Sequence, residues 1–177
     1  MGTTSNGFPY PEPTDPIAAG ADAIKALAQA VDLKRSAVVA NHTVAQLVGP
    51  DAAWVNVAYP EIVVNTGSSF NGTIWTAPAA GKVRVSASAM VGIGNSAPPA
   101  IDGIGDYQTS LQVLRGGSSG HLATFFGRFG AITLKGAFVF NAVNAGETFT
   151  VQVYIAGAAG KNKSVGIAAG SLQIEYL

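Results

Sequence analysis

The second half of the chain alternates apolar and polar residues with a period of two. From residue 82 to 93, valine, alanine or isoleucine occupies every second position, and residues 107–115, 148–155 and 171–177 repeat the pattern. Such alternation is typical of β-strands that bury one face. Because these short segments are separated by glycine-rich turns, the sequence predicts a mainly β fold, a jelly-roll β-sandwich.

Two segments replace the alternation with clustered aromatic residues. Residues 122–129 contain three phenylalanines, and residues 136–143 are apolar on both faces, with Val139 and Val143 expected opposite the phenylalanines. A strand that is apolar on both faces needs cover on both. We expect the opposing sheet on one side and a neighbouring subunit on the other; a long loop of the same chain is the alternative. The core and trimer-interface candidates are Phe125, Phe126, Phe129, Phe138 and Phe140.

The first 35 residues follow a different pattern. Residues 1–16 are rich in proline, which predicts an extended arm. Thr14-Asp-Pro16 supplies a capping side chain and a proline at the first helical position, so a helix is expected from Ile17 to about Leu33. An isolated helix of this length is marginal in water, so it must pack on something. The candidate anchor residues are Phe8, Tyr10, Ile17, Ile24, Leu27 and Val31.

These patterns divide the chain into three parts. Residues 1–35 are the arm and helix, residues 36–60 are a connector with strand-like pieces, and residues 61–177 are the jelly-roll domain. Cysteine is absent, which excludes disulfides and cysteine metal sites. The scattered basic residues do not predict nucleic-acid binding, and no apolar run is long enough to predict a membrane span.

Charged residues are unusually scarce in this chain. They make up 11% of it, against about 25% in typical soluble domains, while 48% of residues are hydrophobic and the mean hydropathy is +0.31. Obligate interfaces have this apolar character, so we expect that partners cover much of the surface. The alternative is an uncharged surface of serine, threonine, asparagine and glycine.

Residues able to carry catalysis are few. The chain has two histidines, His42 and His121, and neither lies in a recognisable nucleophile motif. Asp102 and Asp106 are a close carboxylate pair in a glycine-rich loop, where calcium binding is one interpretation and two polar turn residues are the favoured one. Loops on a rigid sandwich commonly carry recognition. The candidate ligand-loop residues are Asp102, Asp106, Tyr107, Arg115, His121, Lys161 and Lys163.

Three segments resemble the jelly-roll family of complement globular heads and tumour necrosis factor. They are Trp75-Thr-Ala-Pro-Ala-Ala-Gly81, Ala145-Gly-Glu-Thr-Phe-Thr-Val-Gln-Val-Tyr154 and Ala168-Ala-Gly-Ser-Leu-Gln-Ile-Glu-Tyr-Leu177. Together the resemblance covers about residues 61–177. It implies a homotrimer around a three-fold axis, a binding role in place of catalysis, and in some relatives calcium near the trimer apex. The collagen-like stalk of many relatives is missing, which favours a compact knob.

The N-terminal segment from Gly7 to Asp32 resembles a segment of minor tail and fibre-like proteins of phages that infect actinobacteria. This resemblance implies a virion structural protein that docks to other virion proteins through its arm and helix and displays the trimeric knob. The N-terminus does not have the pattern of a signal peptide, so an extracellular location is expected through the virion. A tail-associated protein that contacts a glycan or protein of the host surface is the first hypothesis. A capsid decoration protein or head fibre is the alternative, and a cell-wall glycan hydrolase is a third.

Overall fold

The structure is a computed structural model that describes residues 2–3, 9–10, 17–34, 37–96, 101–166 and 170–177, with side chains from residue 20 onward except 29, 30 and 32–37. The described helix is α1 (Ile17–Lys34), and a 3-10 turn spans Thr66–Ser68. The described strands are β1 (Gly2–Thr3), β2 (Pro9–Tyr10), β3 (Ala37–His42), β4 (Gln46–Val48), β5 (Ala53–Asn56), β6 (Glu61–Asn65), β7 (Ile74–Thr76), β8 (Gly81–Gly94), β9 (Gly105–Arg115), β10 (Ser118–Phe129), β11 (Ala131–Val143), β12 (Thr148–Ala156), β13 (Asn162–Val165) and β14 (Gly170–Tyr176).

Two antiparallel sheets form the sandwich. In the first sheet β11, β8, β14, β3 and β6 lie side by side, and β13 continues along β8 beyond β14 and pairs with β4. In the second sheet β10, β9 and β12 lie side by side, and β12 also pairs with β5 and β7. A separate pair joins β1 to β2. The predicted mainly β sandwich is confirmed.

The core lies between the sheets, on the faces that the alternation predicts. Every second residue of β8, beginning at Val83, is buried, and every second residue of β12, beginning at Phe149, is buried as well. Trp75 is 1% exposed and packs against Phe149 and Tyr176, with ring centroids 5.1 and 6.0 Å away. In both sheets, therefore, the alternate side chains that point between the layers are buried, as expected for a two-layer sandwich.

The segment that resembles the complement-type turn is held by Tyr176. Its hydroxyl donates to the carbonyl of Ala79 at 2.6 Å and accepts the amide of Ala79 at 3.1 Å. A Cβ added at Gly81 would lie 3.0 Å from the Tyr176 ring, so glycine permits the ring to lie flat on the chain. Burial raises the pKa of Tyr176. The turn between β7 and β8 is therefore tied to β14.

Residues 37–56 of the predicted connector contribute three strands to the sandwich. β3 lies between β14 and β6, β4 pairs with β13, and β5 pairs with β12. The described sandwich therefore takes strands from both the connector and the 61–177 segment, and β14 is paired on both sides.

One expectation for β11 is wrong. Val143 was expected on the face opposite the phenylalanines, but it is 2% exposed and belongs to the same core cluster as Phe140. The cause is a shift in the pairing with β8 between Phe140 and Val143. An extra residue in one strand of an antiparallel pair reverses the facing of all positions beyond it.

Helix α1 begins at Ile17, as predicted, and contacts β2 and the Thr66–Ser68 turn. Its buried face does not include Ile24, one of the predicted anchor residues. Ala23 is fully buried and Leu27 and Val31 are half-buried, while Ile24 is 63% exposed. Ala23, Leu27 and Val31 are spaced by four residues and therefore share one side of the helix, and Ile24 lies outside that row.

Three of the predicted anchor side chains lie outside the described part of the structure. Phe8 lies outside the described residues, as do the side chains of Tyr10 and Ile17. Within the described residues, no helix combines the length and the hydropathy that a membrane crossing requires.

Candidate functional site

The predicted ligand loops lie at opposite ends of the sandwich. The loops before β9 and before β13 meet, because Asn162 Nδ2 donates to the carbonyl of Ser96 at 2.8 Å and Lys161 contacts the side chain of Asn95. The β9–β10 hairpin, with Arg115 and His121, begins at the far end of β9, about 30 Å away for a strand of this length. One ligand cannot contact both sets of loops at once.

Two of the candidate ligand residues are buried. Tyr107 is 5% exposed, and its hydroxyl donates to the carbonyl of Gly103 at 2.6 Å. Lys163 is 6% exposed, donates to the carbonyl of Ala158 at 3.3 Å and lies 3.9 Å from Asp51 Oδ1. These contacts hold the loops at this end, and neither side chain is presented to a ligand.

Asp102 acts as a turn residue. Its carboxylate accepts the backbone N–H of Asn95 at 2.8 Å and the Ser96 hydroxyl at 3.5 Å, and the Asn95 hydrogen bond holds the pKa of Asp102 below its usual range. Asp106 pairs in register with Arg128 on β10. In the part of the chain that the structure describes, no cluster of three or more metal-ligating side chains is found. The contacts of Asp102 agree with the favoured turn interpretation.

At the opposite end, Arg115 joins β9 to the turn before β12. Its Nε donates to Glu147 Oε2 at 2.8 Å, and its side chain also contacts the carbonyl of Ala142. Glu147 additionally accepts the backbone N–H of Asn144 at 3.0 Å. This bond, and then the bond and charge of Arg115, hold the pKa of Glu147 below its usual range. The guanidinium also lies 5.8 Å from the ring centroid of Phe140.

An open cleft of about 430 Å³ lies beside this contact. It is lined by Arg115, Gly116, Ser118, Gly146, Glu147 and Thr148. Because the guanidinium and the carboxylate already satisfy each other, the cleft presents no unpaired charge from these two residues to a ligand.

The two histidines occupy different environments. His42 is 1% exposed, and its ring nitrogens face the carbonyls of Ala58 and Val165, the second at 3.1 Å. His121 is exposed, and its Nε2 lies 3.1 Å from the Thr124 hydroxyl, which in turn bonds the Ser110 hydroxyl at 2.8 Å. No acid completes this chain of contacts among the described residues, so it lacks the base-orienting group of a catalytic triad.

The five candidate phenylalanines separate into core and edge residues. Phe129 and Phe140 are buried, and Phe138 packs against the core, where a Cβ on Gly120 would meet its ring at 2.6 Å. Phe125 and Phe126, on the edge strand β10, are 36% and 76% exposed. Only these two are available to a neighbouring subunit in the conformation described.

The structure adds a second apolar surface that was not among the candidate interface residues. Ile62, Val63 and Val64 of β6 are 40%, 59% and 39% exposed, although their sequence is that of a buried strand. Among the described strands β6 pairs only with β3, so it forms an edge of the first sheet. Its position at an edge depends on pairing with a distant strand, which the local pattern does not contain.

No protein-family model and no curated protein matches this chain. Solved structures do match its fold. The globular domain of zebrafish complement 1qA is 12% identical, with a TM-score of 0.52 over 80% of this chain and 96% of that one. Murine APRIL at pH 8.0 is 15% identical, with a TM-score of 0.50 over 80% of this chain and 99% of that one. At these identities the similarity shows the fold alone: the jelly roll of the complement and tumour-necrosis-factor type is confirmed.

Proposed function

We propose that this chain is a non-enzymatic virion structural protein, a homotrimeric jelly-roll knob displayed on a phage particle. The observation that carries the self-association is the exposed apolar edge at β6. A bare apolar edge strand is a hazard in a lone protein, because its unpaired backbone groups and side chains attract other strands. A second copy that covers this edge removes the hazard.

The outer face of the first sheet also suits close approach of a neighbouring subunit, on β8 and β11, which β14 and β3 separate from β6. It presents the small uncharged side chains Ser86, Ser88 and Ala137, beside Lys135 and the ion pair of Arg84 with Glu175. Small residues allow two sheets to approach, and Lys135 needs a partner from the neighbouring subunit or a path to solvent, because burial of an unpaired charge is costly. The exposed Phe126 on β10 adds apolar area at the opposite edge of the sandwich. The jelly-roll similarity supports the same arrangement.

The virion assignment rests on the N-terminal segment and its resemblance to phage tail proteins. In this proposal the arm and α1 dock the knob to other virion proteins, and the 63% exposed Ile24 contributes to that contact. A tail location is the first form of the proposal, and it brings the knob to the host surface. A capsid decoration protein uses the same parts. Labelling particles with an antibody to this chain and imaging them distinguishes tail from head, and particles without any label contradict both.

The trimer is tested by light scattering of the full chain. We expect about three times the 17.9 kDa chain mass. Val63→Lys places a charge on the β6 edge, and burial of an unpaired charge is costly. This variant should therefore dissociate while it remains folded by circular dichroism.

Val44→Lys is the matched control. Val44 is 66% exposed, like Val63 at 59%, but it lies in the loop before β4. Its variant should keep the wild-type mass. A wild-type chain that is monomeric at micromolar concentration, or two lysine variants with the same mass, would contradict the proposal.

A further inference from the structure

The outer face of the second sheet carries a ladder of amide side chains. The register places Asn56 on β5 opposite Gln152 on β12, and Gln152 opposite Gln112 on β9. Gln112 Nε2 donates to Gln152 Oε1 at 2.9 Å, and Gln152 Nε2 donates to Asn56 Oδ1 at 3.0 Å. The three amides thus form one hydrogen-bonded row across three strands, which spans about 10 Å.

An aromatic pair lies next to this row on the same face. Trp54 pairs with Tyr154, two residues along the strands from Asn56 and Gln152, and the ring centroids are 5.3 Å apart at an angle of 43°. Trp54 is 41% exposed. Residues two apart on one strand stand on the same face about 7 Å from each other. The amide–aromatic face is defined by Trp54, Asn56, Gln112, Gln152 and Tyr154.

Neighbouring contacts hold this face in place. Gln46 Nε2 donates to the carbonyl of Asn56 at 2.7 Å, and its Oε1 accepts the amide of Ala58 at 2.9 Å, which fixes the end of β5. Beneath the face, Leu111 and Val153 are fully buried. The side chains are therefore ordered before any ligand arrives, and this lowers the entropic cost of binding.

The chemistry of the face is polar and uncharged. An amide offers two donor hydrogens and two acceptor lone pairs, and the ladder uses two of the six donor hydrogens of its three amides. The positions that the register places around it on β9, β10 and β12, from Thr150 and Leu114 to Ala156 and Gln108, carry no Asp, Glu, Lys or Arg. The exposed His121 pairs in register with Gln112, and its Nε2 lies 3.1 Å from the Thr124 hydroxyl. The aromatic rings of the face can pack on apolar C–H surfaces of a ligand. Its amide groups can donate hydrogen bonds to hydroxyl groups and accept hydrogen bonds from them.

These properties select one class of ligand. An anionic ligand finds no lysine or arginine among these positions, and an apolar protein surface would bury the unused amide groups without partners, which costs free energy. A neutral glycan presents both hydroxyl groups and apolar ring faces. We propose that the amide–aromatic face binds a neutral glycan, with the ladder bonding its hydroxyls and Trp54 and Tyr154 packing on a sugar ring.

This inference deepens the host-surface contact of the proposed function and rests on it for its biological role. It places glycan recognition on a sheet face and not on the loops at either end. The two proposals can fail independently. Light scattering tests the trimer and particle labelling tests the location, whereas the polysaccharide-binding experiment tests only the amide–aromatic face.

The test uses the full chain in native gels that contain dextran, mannan or arabinogalactan, with dextran sulfate as the charged counterpart of dextran. We expect retardation by at least one neutral polysaccharide. Tryptophan emission should shift in the same titration, because Trp54 is exposed whereas Trp75 is buried. Gln152→Ala and Trp54→Ala should each weaken binding about tenfold, as the loss of a hydrogen bond or an aromatic contact does.

Thr43→Ala is the control, since Thr43 is an exposed polar residue in the loop before β4, outside both the amide–aromatic face and the proposed subunit contacts. It should bind like the wild type. Four outcomes would overturn the proposal: no retardation by any neutral polysaccharide with folded protein, retardation by dextran sulfate alone, an equal loss in Thr43→Ala, or a lower oligomer mass in Trp54→Ala. The last would make the face a contact between subunits.

Discussion

The two sheets bury similar inner faces but present different outer faces. Under both, valine, isoleucine, leucine and aromatic residues fill the space between the layers. Outside, the first sheet carries serines, an alanine, Lys135 and the Arg84–Glu175 pair, whereas the second carries an amide ladder and the Trp54–Tyr154 pair. The inner positions are constrained by packing, and the outer positions are free to serve recognition. The difference suggests that the first face suits another subunit and the second a polar ligand.

The largest expected effect is the difference in stability between substitutions of a tryptophan buried beneath the second sheet and of a tryptophan on its outer face. Trp75→Ala should lower the free energy of unfolding by about 3–5 kcal/mol, because it removes a buried ring that contacts Phe149 and Tyr176. Trp54→Ala, at an exposed tryptophan on the outer face, should cost about 1 kcal/mol or less. Urea unfolding measures both. Equal losses would show that the amide–aromatic face is part of the folding core.

The next largest expected effect is a loss of stability on substitution of a glycine beneath the first sheet. Gly166 has φ 79°, and an added Cβ would overlap the buried ring of His42, so Gly166→Ala should cost about 2–4 kcal/mol. Gly160 has φ 73° with open space around it, so Gly160→Ala should cost only the backbone strain, about 1 kcal/mol. Thermal unfolding compares the two. Similar melting temperatures would mean that His42 moves freely.

The same bulky substitution on each outer face tests the comparison directly. Ser88→Tyr, in the first sheet, should obstruct a neighbouring subunit and reduce the oligomer mass. Thr150→Tyr, at an outer position of the second sheet, should leave the mass unchanged. Light scattering measures both variants after circular dichroism has verified their folding. Loss of the oligomer in Thr150→Tyr alone would reverse the roles of the two faces.

The smallest expected effect comes from the Arg115–Glu147 contact at the hairpin end. The pKa of Glu147 is lowered in the folded chain, so the unfolded state binds a proton at higher pH than the folded state. This stabilisation is present at neutral pH and is lost as the pH falls below about 4.5, the usual value for glutamate. Glu147→Gln should therefore be less stable than the wild type at pH 7, and the difference should shrink in acid. A constant difference from pH 7 to 3 would contradict the assignment.

Local patterns predict much of this fold. The alternation in β8 and a helix that begins at Ile17 are both predicted from a few residues of sequence, and both are confirmed, while residues 14–16 lie outside the described part of the chain. The facing of Val143 was wrong because a bulge shifts the register, and no local periodicity marks it. The exposure of Ile24 was missed because helix α1 packs through Ala23, a residue too small to stand out in an apolar stripe.

The candidate site was harder to predict, because its residues are distant along the chain. Gln112 and Gln152 are 40 positions apart, and Asn56 is 96 positions from Gln152. Each is one polar residue in an alternating strand, and only the pairing of β5, β12 and β9 brings them together. The candidate loop residues have side chains suited to binding, but the loop sequence does not indicate that Tyr107 and Lys163 are buried.

The position of β14 has a consequence for assembly of the chain. β14 lies between β8 and β3, two strands that precede it by many residues. The first sheet therefore cannot close until residues 170–176 are available, and until then β3 and β8 each have an unpaired side. Long-range pairing of this kind slows folding and leaves strand edges open to wrong partners. The surface on which copies are proposed to meet is thus completed only in the final stage of folding.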